Sequence, residues 1–206
     1  MNSQIKQHLI FFISAILYLI ASYLLVGFKT DQLVLITICG IFYYLSKKSR
    51  LLLLSIFPFI VFWIIFDYMK AFPNYNWNAI HIESLYLLEQ KWFGFEYNNE
   101  IFTPNEYFAL NHHSFLDALS GIFYLLWVPV PIAFSIWLHF KKSHKAALQF
   151  STNFLIVNLI GFIVYYVYPA APPWYVALQG FELNSLTPGN AAGLSRFDAL
   201  FNIRLF

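Results

Sequence analysis

The sequence predicts an all-α polytopic membrane bundle, and three observations carry that expectation. Hydrophobic residues fill 60% of the 206 positions, 21% are aromatic, and only 11% are charged. A soluble domain carries about 25% charged residues, so this composition points to lipid rather than water as the solvent. The apolar residues gather in five uncharged runs, residues 9–28, 32–46, 51–66, 118–140 and 146–168. The charges between those runs sort by sign from one crossing to the next.

A helix needs roughly 20 apolar residues to cross the hydrocarbon core. The first, fourth and fifth runs meet that length. The second and third are shorter, bounded by Asp31, Lys47, Lys48, Arg50 and Asp67, and long basic side chains can snorkel to the interface. All five are read as transmembrane helices. The first follows a lone Lys6 with no small-residue cleavage site, so it reads as an anchor rather than a signal peptide.

With the N-terminus inside, the inner segments hold Lys6, Lys47, Lys48, Arg50, Lys141, Lys142 and Lys145 and no acid. The outer segments hold Lys29, Lys70, Lys91, Arg196 and Arg204 together with every Asp and Glu of the chain. Short inner segments rich in Lys and Arg obey the positive-inside rule. A net charge of +2 is too small to imply nucleic acid, and the single Cys39 has no disulfide partner. The spans hold no Asp, Glu, Lys or Arg to line a coupled transport pathway.

Two long segments, 67–117 and 169–206, are thereby placed outside. In the first, Asn78 is positioned to cap a helix with Ile82, Leu85, Leu88 and Trp92 on one side and Gly94 at its end, lying on an apolar surface. Thr103-Pro104-Asn105-Glu106 is a capping box with proline at the first helical position. Ser114-Phe115-Leu116-Asp117 repeats that logic at the start of the fourth span. No repeats appear, and residues 1–206 read as one membrane domain.

Several spacings suggest chemistry and have plainer readings. His113 and Asp117 are four apart, but Asp117 reads as a cap for the helix that begins at Ser114. His112 and His113 are adjacent and would face different ways on a helix. His139 and His144 flank the inner lysines and read as solvated loop residues. Asn153 and Asn158 in the fifth run read as bonding across helices.

The stretch YPAAPPWY at residues 168–175 is more specific. Pro169 biases Tyr168 out of the helical region and ends the fifth helix. Pro172 and Pro173 lack N–H donors and are expected to keep the chain extended. Trp174 and Tyr175 prefer the headgroup level. The result is a rigid backbone ledge, or at its plainest an interfacial anchor.

YPAAPPWY, with GNAAGLSRFD at residues 189–198, resembles the inositol phosphorylceramide synthase branch of the type-2 phosphatidic acid phosphatase superfamily. The resemblance runs from residue 66 to residue 206, through FDYMKAFPNYNWNAIHIESLYLLEQKWFG, TPNEYF and GIFYLLWVPVP. It implies a helical membrane domain with an extracytoplasmic active face, in a bacterial inner membrane. It implies transfer of a phosphoinositol-like headgroup from a phospholipid donor to a ceramide-like acceptor, with no metal or other cofactor. The chemistry implied is a histidine nucleophile that forms a covalent intermediate, a second histidine as acid or base, and basic residues on the phosphate oxygens.

The family's proline-serine-x-histidine and histidine-x-x-x-aspartate motifs belong after GLSRFD, and the sequence stops at Phe206 before either. The expectation is an N-terminal portion, inactive alone, with a missing C-terminal portion or partner chain. The alternatives are a lipid phosphate phosphatase of the same superfamily and a non-catalytic membrane subunit or lipid-binding scaffold. By resemblance, substrate binding falls to Arg196, Lys70, Tyr168 and Trp174, with Pro169, Pro172, Pro173 and Asp198 shaping the motif and Glu89 structural. Arg196 can hold phosphate or pair with Asp198. Lys70 can meet a headgroup or pair with Asp67.

Overall fold

The computed structural model describes residues 3–184 and 194–202. The motif residues Gly189, Asn190, Ala191, Ala192 and Gly193, the outer Arg204 and the side chain of Lys6 lie outside the described residues. The described chain is almost wholly helical: α1 (Ser3–Val26), α2 (Thr30–Leu45), α3 (Lys47–Tyr68), α4 (Glu83–Phe93), α5 (Pro104–Leu110), α6 (Ser114–Leu126), α7 (Pro129–Lys141), α8 (His144–Val167), α9 (Pro173–Gln179) and α10 (Ser195–Phe201). An antiparallel hairpin of β1 (Phe95–Tyr97) and β2 (Glu100–Phe102) interrupts them.

Three stretches are long and apolar enough to cross a bilayer alone: His8–Val26, Lys47–Ala71 and His144–Val167. The protein is therefore an integral membrane protein. The other two expected spans take different forms. The run 118–140 divides between α6 and α7, which pass the length test only as a pair. Pro129 opens α7, and the residue before a proline is driven out of the helical region. Helix α2 has 16 residues and rises about 24 Å, short of the roughly 30 Å hydrocarbon core.

The chain forms two compact units by internal contact. The first runs to Pro73 and resumes over Pro131–Gly161. Helix α1 ends at Gly27, whose φ of +77° suits glycine. Gln32, 2% exposed, accepts from Lys29 N through Oε1 and donates to Gly27 O through Nε2, fastening α1 to α2. A single residue, Ser46, joins α2 to α3. Its Oγ accepts from Ser49 N at 3.0 Å, and Ser46 N donates back to Ser49 Oγ at 2.9 Å. Arg50 donates twice to Tyr43 O and lies 4.3 Å over the Tyr43 ring, which satisfies a carbonyl of α2's last turn.

Phe59 and Phe62 of α3 pack against Phe154 of α8, with ring centroids 4.7 and 5.3 Å apart. Ser55, Ser135 and Ser151 are fully buried, as small polar residues at helix crossings tend to be. The expectation that His139 and His144 belong to a solvated loop is overturned. The Nδ1 of each lies 2.7 Å from Ser55 Oγ. That hydroxyl also reaches Leu51 O at 3.1 Å. Asn158 does not bond across helices either; its Nδ2 donates to Phe154 O one turn back in α8. Asn153 is exposed.

The second unit comprises Asn74–Val130 and residues from Phe162 onward. Helix α4 begins at Glu83 without a side-chain cap, so Asn78 does not cap it. Leu88 and Trp92 are exposed on it, 41% and 67%, as a helix on an apolar surface requires. The capping box at Thr103 is present: Thr103 Oγ1 accepts from Glu106 N, and Glu106 Oε2 accepts from Thr103 N. The hairpin between α4 and α5 was not anticipated. Its turn is Asn98-Asn99, both at positive φ, the geometry of a two-residue type I′ connection that Asn tolerates.

Candidate functional site

The ledge is held by three residues of the segment before α4. His81 N donates to Pro169 O at 2.9 Å, and Ala171 N donates to His81 O at 3.0 Å, a parallel bridge. The His81 ring stacks on Tyr168 at 4.0 Å with 16° between planes. Asn74 Nδ2 donates to Tyr165 O at 3.3 Å, and Asn78 Nδ2 donates to Tyr166 O at 2.6 Å. Asn78 thus serves the end of α8 rather than the start of α4. Pro169 is fully buried beneath these contacts.

The extended course expected through residues 172 and 173 is half right. Pro172 is extended, with ψ of 154°, but Pro173 opens α9. Proline fits the first helical position, because that N–H has no helical partner in any case. Trp174 is half-buried in α9, its ring 6.2 Å from that of Tyr175. Tyr175 is not an interfacial belt residue. It is 7% exposed; its hydroxyl donates to Glu182 O and accepts from Asn184 N, pinning the loop after α9.

Helix α10 docks on α6 where Gly121 leaves a notch for Phe197. A Cβ at Gly121 would collide with the Phe197 ring. This contact presents Arg196 to the end of α5. Its guanidinium donates to Phe108 O at 2.8 Å and Ala109 O at 3.4 Å, carbonyls of a last helical turn. Its carboxylate neighbour is Asp117 at 3.6 Å rather than Asp198. Residues two apart on a helix point in different directions, whereas Asp117 projects from α6 toward α10. The capping role expected for Asp117 is corrected accordingly: α6 has no side-chain cap.

Beside this pair lies a cavity of about 400 Å³. Phe108, Leu116, Leu119 and Phe123 give it an apolar wall; His113, Asp117, Ser120 and Arg196 give it polar points. Arg196 has five N–H donors and two of them serve carbonyls, so donors remain for an anion. Its side chain is 39% exposed. Elsewhere in this unit, Tyr86 donates to Glu106 Oε1 at 2.8 Å. Burial, then that bond, and the charges of Glu106 and Glu89 push the Tyr86 hydroxyl up to about 12. Among the described residues, no group of three or more His, Cys, Asp or Glu could hold a metal ion.

Lys70 lies in the first unit. Its ammonium pairs with Asp67 at 2.8 Å, the pairing the sequence allowed for Lys70, and Lys29 meets the same oxygen at 3.2 Å. Sequence reasoning missed Asn74 and His81 and gave Asn78 another partner. One signal was available: Pro169 leaves a carbonyl four residues back without its helical donor.

A family model described as PAP2 superfamily matches residues 92–202. The chain is 42% identical over 201 residues to a phosphoinositol dihydroceramide synthase of Bacteroides thetaiotaomicron, covering 98% of this chain and 66% of that protein. It is 27% identical over 155 residues to an inositol phosphorylceramide synthase catalytic subunit of Schizosaccharomyces pombe, covering 73% of this chain and 35% of that one. The corresponding subunit of Saccharomyces cerevisiae is 31% identical over 102 residues, covering 48% and 25%. The chain thus spans about two thirds of the length of the first relative and less of the fungal ones. No solved structure matches it.

Proposed function

The chain belongs to the PAP2 superfamily, and from that premise we propose that it works in a sphingolipid headgroup transferase. The reaction moves a phosphoinositol-like group from a phospholipid to a ceramide-like acceptor. The observation that carries this reading is the 42% identity, over 98% of the chain, to a phosphoinositol dihydroceramide synthase. The membrane is a bacterial inner membrane, and the active face is extracytoplasmic, in keeping with the sorting of lysines and acids.

The site in the second unit suits that task. Arg196 offers its remaining N–H groups to a phosphodiester, and two such groups can make parallel bonds to two phosphate oxygens. The carbonyls of Phe108 and Ala109 fix the guanidinium plane beforehand, so little reorganisation is needed when charge arrives. Phe108, Leu116, Leu119 and Phe123 give hydrocarbon a wall to lie against. Tyr168 and Trp174, on the ledge, bound the approach of the lipid. The proline-serine-x-histidine motif does not occur in these 206 residues. Their share is to bind and orient the headgroup, while the phosphohistidine chemistry is what the resemblance implies.

The test is binding. Replacing Arg196 with Ala should weaken the affinity of the purified chain for phosphatidylinositol in nanodiscs about tenfold, the worth of one charge-assisted bond. Unchanged affinity would remove Arg196 from the site. For the orientation, a reporter fused after residue 145 should read cytoplasmic and one near residue 100 should read external. A swapped result overturns the placement of the active face.

A further inference from the structure

Helix α8 cannot complete its own hydrogen bonding. The carbonyl of Tyr165 should accept the N–H four residues on, and that residue is Pro169, which has none. The helix ends at Val167, and from Tyr168 the chain passes into the bridge with His81. A carbonyl left without a donor where packing shuts water out is costly. The end of a helix also concentrates partial negative charge, about half an elementary charge, on such carbonyls.

Two side-chain amides meet this deficit. Asn74, only 7% exposed, donates to Tyr165 O, and Asn78 donates to Tyr166 O. At the buried Asn74 an amide supplies the donor without bringing in a charge, which lysine could not do and aspartate, acceptor-only when ionised, could not do at all. Both asparagines belong to the segment that bonds the ledge through His81. We propose that Asn74 and Asn78 are positioning residues, Asn74 standing in for the one donor withheld at Pro169 and Asn78 serving the next carbonyl, Tyr166 O, and that they thereby set the pose of the ledge toward an anionic lipid headgroup. The second clause rests on the transferase reading; the first does not.

A double-mutant cycle separates the two. Asn74→Ala should lower the thermal midpoint of the purified chain in detergent by about 3 °C. Pro169→Ala restores an N–H for Tyr165 O, so in that background Asn74→Ala should cost little. Equal losses in both backgrounds overturn the stand-in role. Asn74→Asp keeps the size but removes the donor and should lower the midpoint at least as far; a tolerant N74D also overturns it. In nanodiscs, phosphatidylinositol should raise the wild-type midpoint relative to phosphatidylcholine alone. Asn74→Ala and Asn78→Ala should each weaken the apparent affinity about threefold. An unchanged affinity beside a positive cycle refutes the control of headgroup pose. A wild type indifferent to phosphatidylinositol counts against the transferase reading itself, with the cycle still deciding the first clause.

Discussion

At its start, within the first unit, α8 is held by side chains bonded to side chains, with His139 and His144 both on the hydroxyl of Ser55. At its end, within the second unit, it is held by side-chain amides bonded to its own carbonyls. The difference follows from the backbone. At the start the neighbouring Ser143 serves the first turn, its Oγ accepting from Ala146 N at 3.1 Å, and the two histidines are free to meet on a small buried serine. Where proline interrupts the pattern, polar side chains are committed to the main chain first. The first region should therefore respond to the size and hydroxyl of one serine, and the second to the loss of donors and of fitted notches.

The largest effect should come from the second unit's notch. Gly121→Val drives two methyl groups into the Phe197 ring and should cost about 3 kcal/mol. Chemical denaturation would register the loss, together with faster proteolysis near α10. A neutral result would mean that α10 is held by something other than this packing. Next, Ser55→Ala leaves two imidazole Nδ1 atoms without their shared partner and should cost about 2 kcal/mol, against about 1 kcal/mol for Asn78→Ala at its more exposed site. The reverse order would break the comparison.

The smallest effect is a pH dependence confined to the second unit. The Tyr86 hydroxyl is raised from 10.0 to about 12, so the folded chain holds a proton that the unfolded chain releases earlier. The stability this contributes is fully present below pH 10 and is lost as pH rises toward 12. Tyr86→Phe should flatten that part of the stability curve. A slope unchanged in the variant would assign it to another group.

Much of the architecture was legible because it depends on local rules. The Thr103 capping box and Pro104 at the first helical position need only neighbours in sequence. The uncharged runs declare lipid as the solvent, and their lengths distinguish α1 and α8 from α2. The Asn98-Asn99 turn was equally local, yet the strands beside it have only three residues each, too few for alternation to stand out. The partners of Arg196, His139 and His144 were not legible. Asp117 is 79 positions from Arg196, and Ser55 is 84 and 89 positions from the two histidines. Which carboxylate or hydroxyl lies opposite is decided by helix packing, and local pattern offers only the nearer and wrong candidates, Asp198 for the arginine and water for the histidines.

The corner at Ser46 has a practical consequence for anyone handling the molecule. One residue ends α2 and begins α3, and Ser49 and Arg50 are bonded back across it. Ser46 is extended, and a tag or protease site inserted there would part Ser49 and Arg50 from the carbonyls of Phe42 and Tyr43 that they hold, so it would undo the corner rather than lengthen a loop. The turn at Asn98-Asn99 can take the same insertion at its tip, and labels belong there.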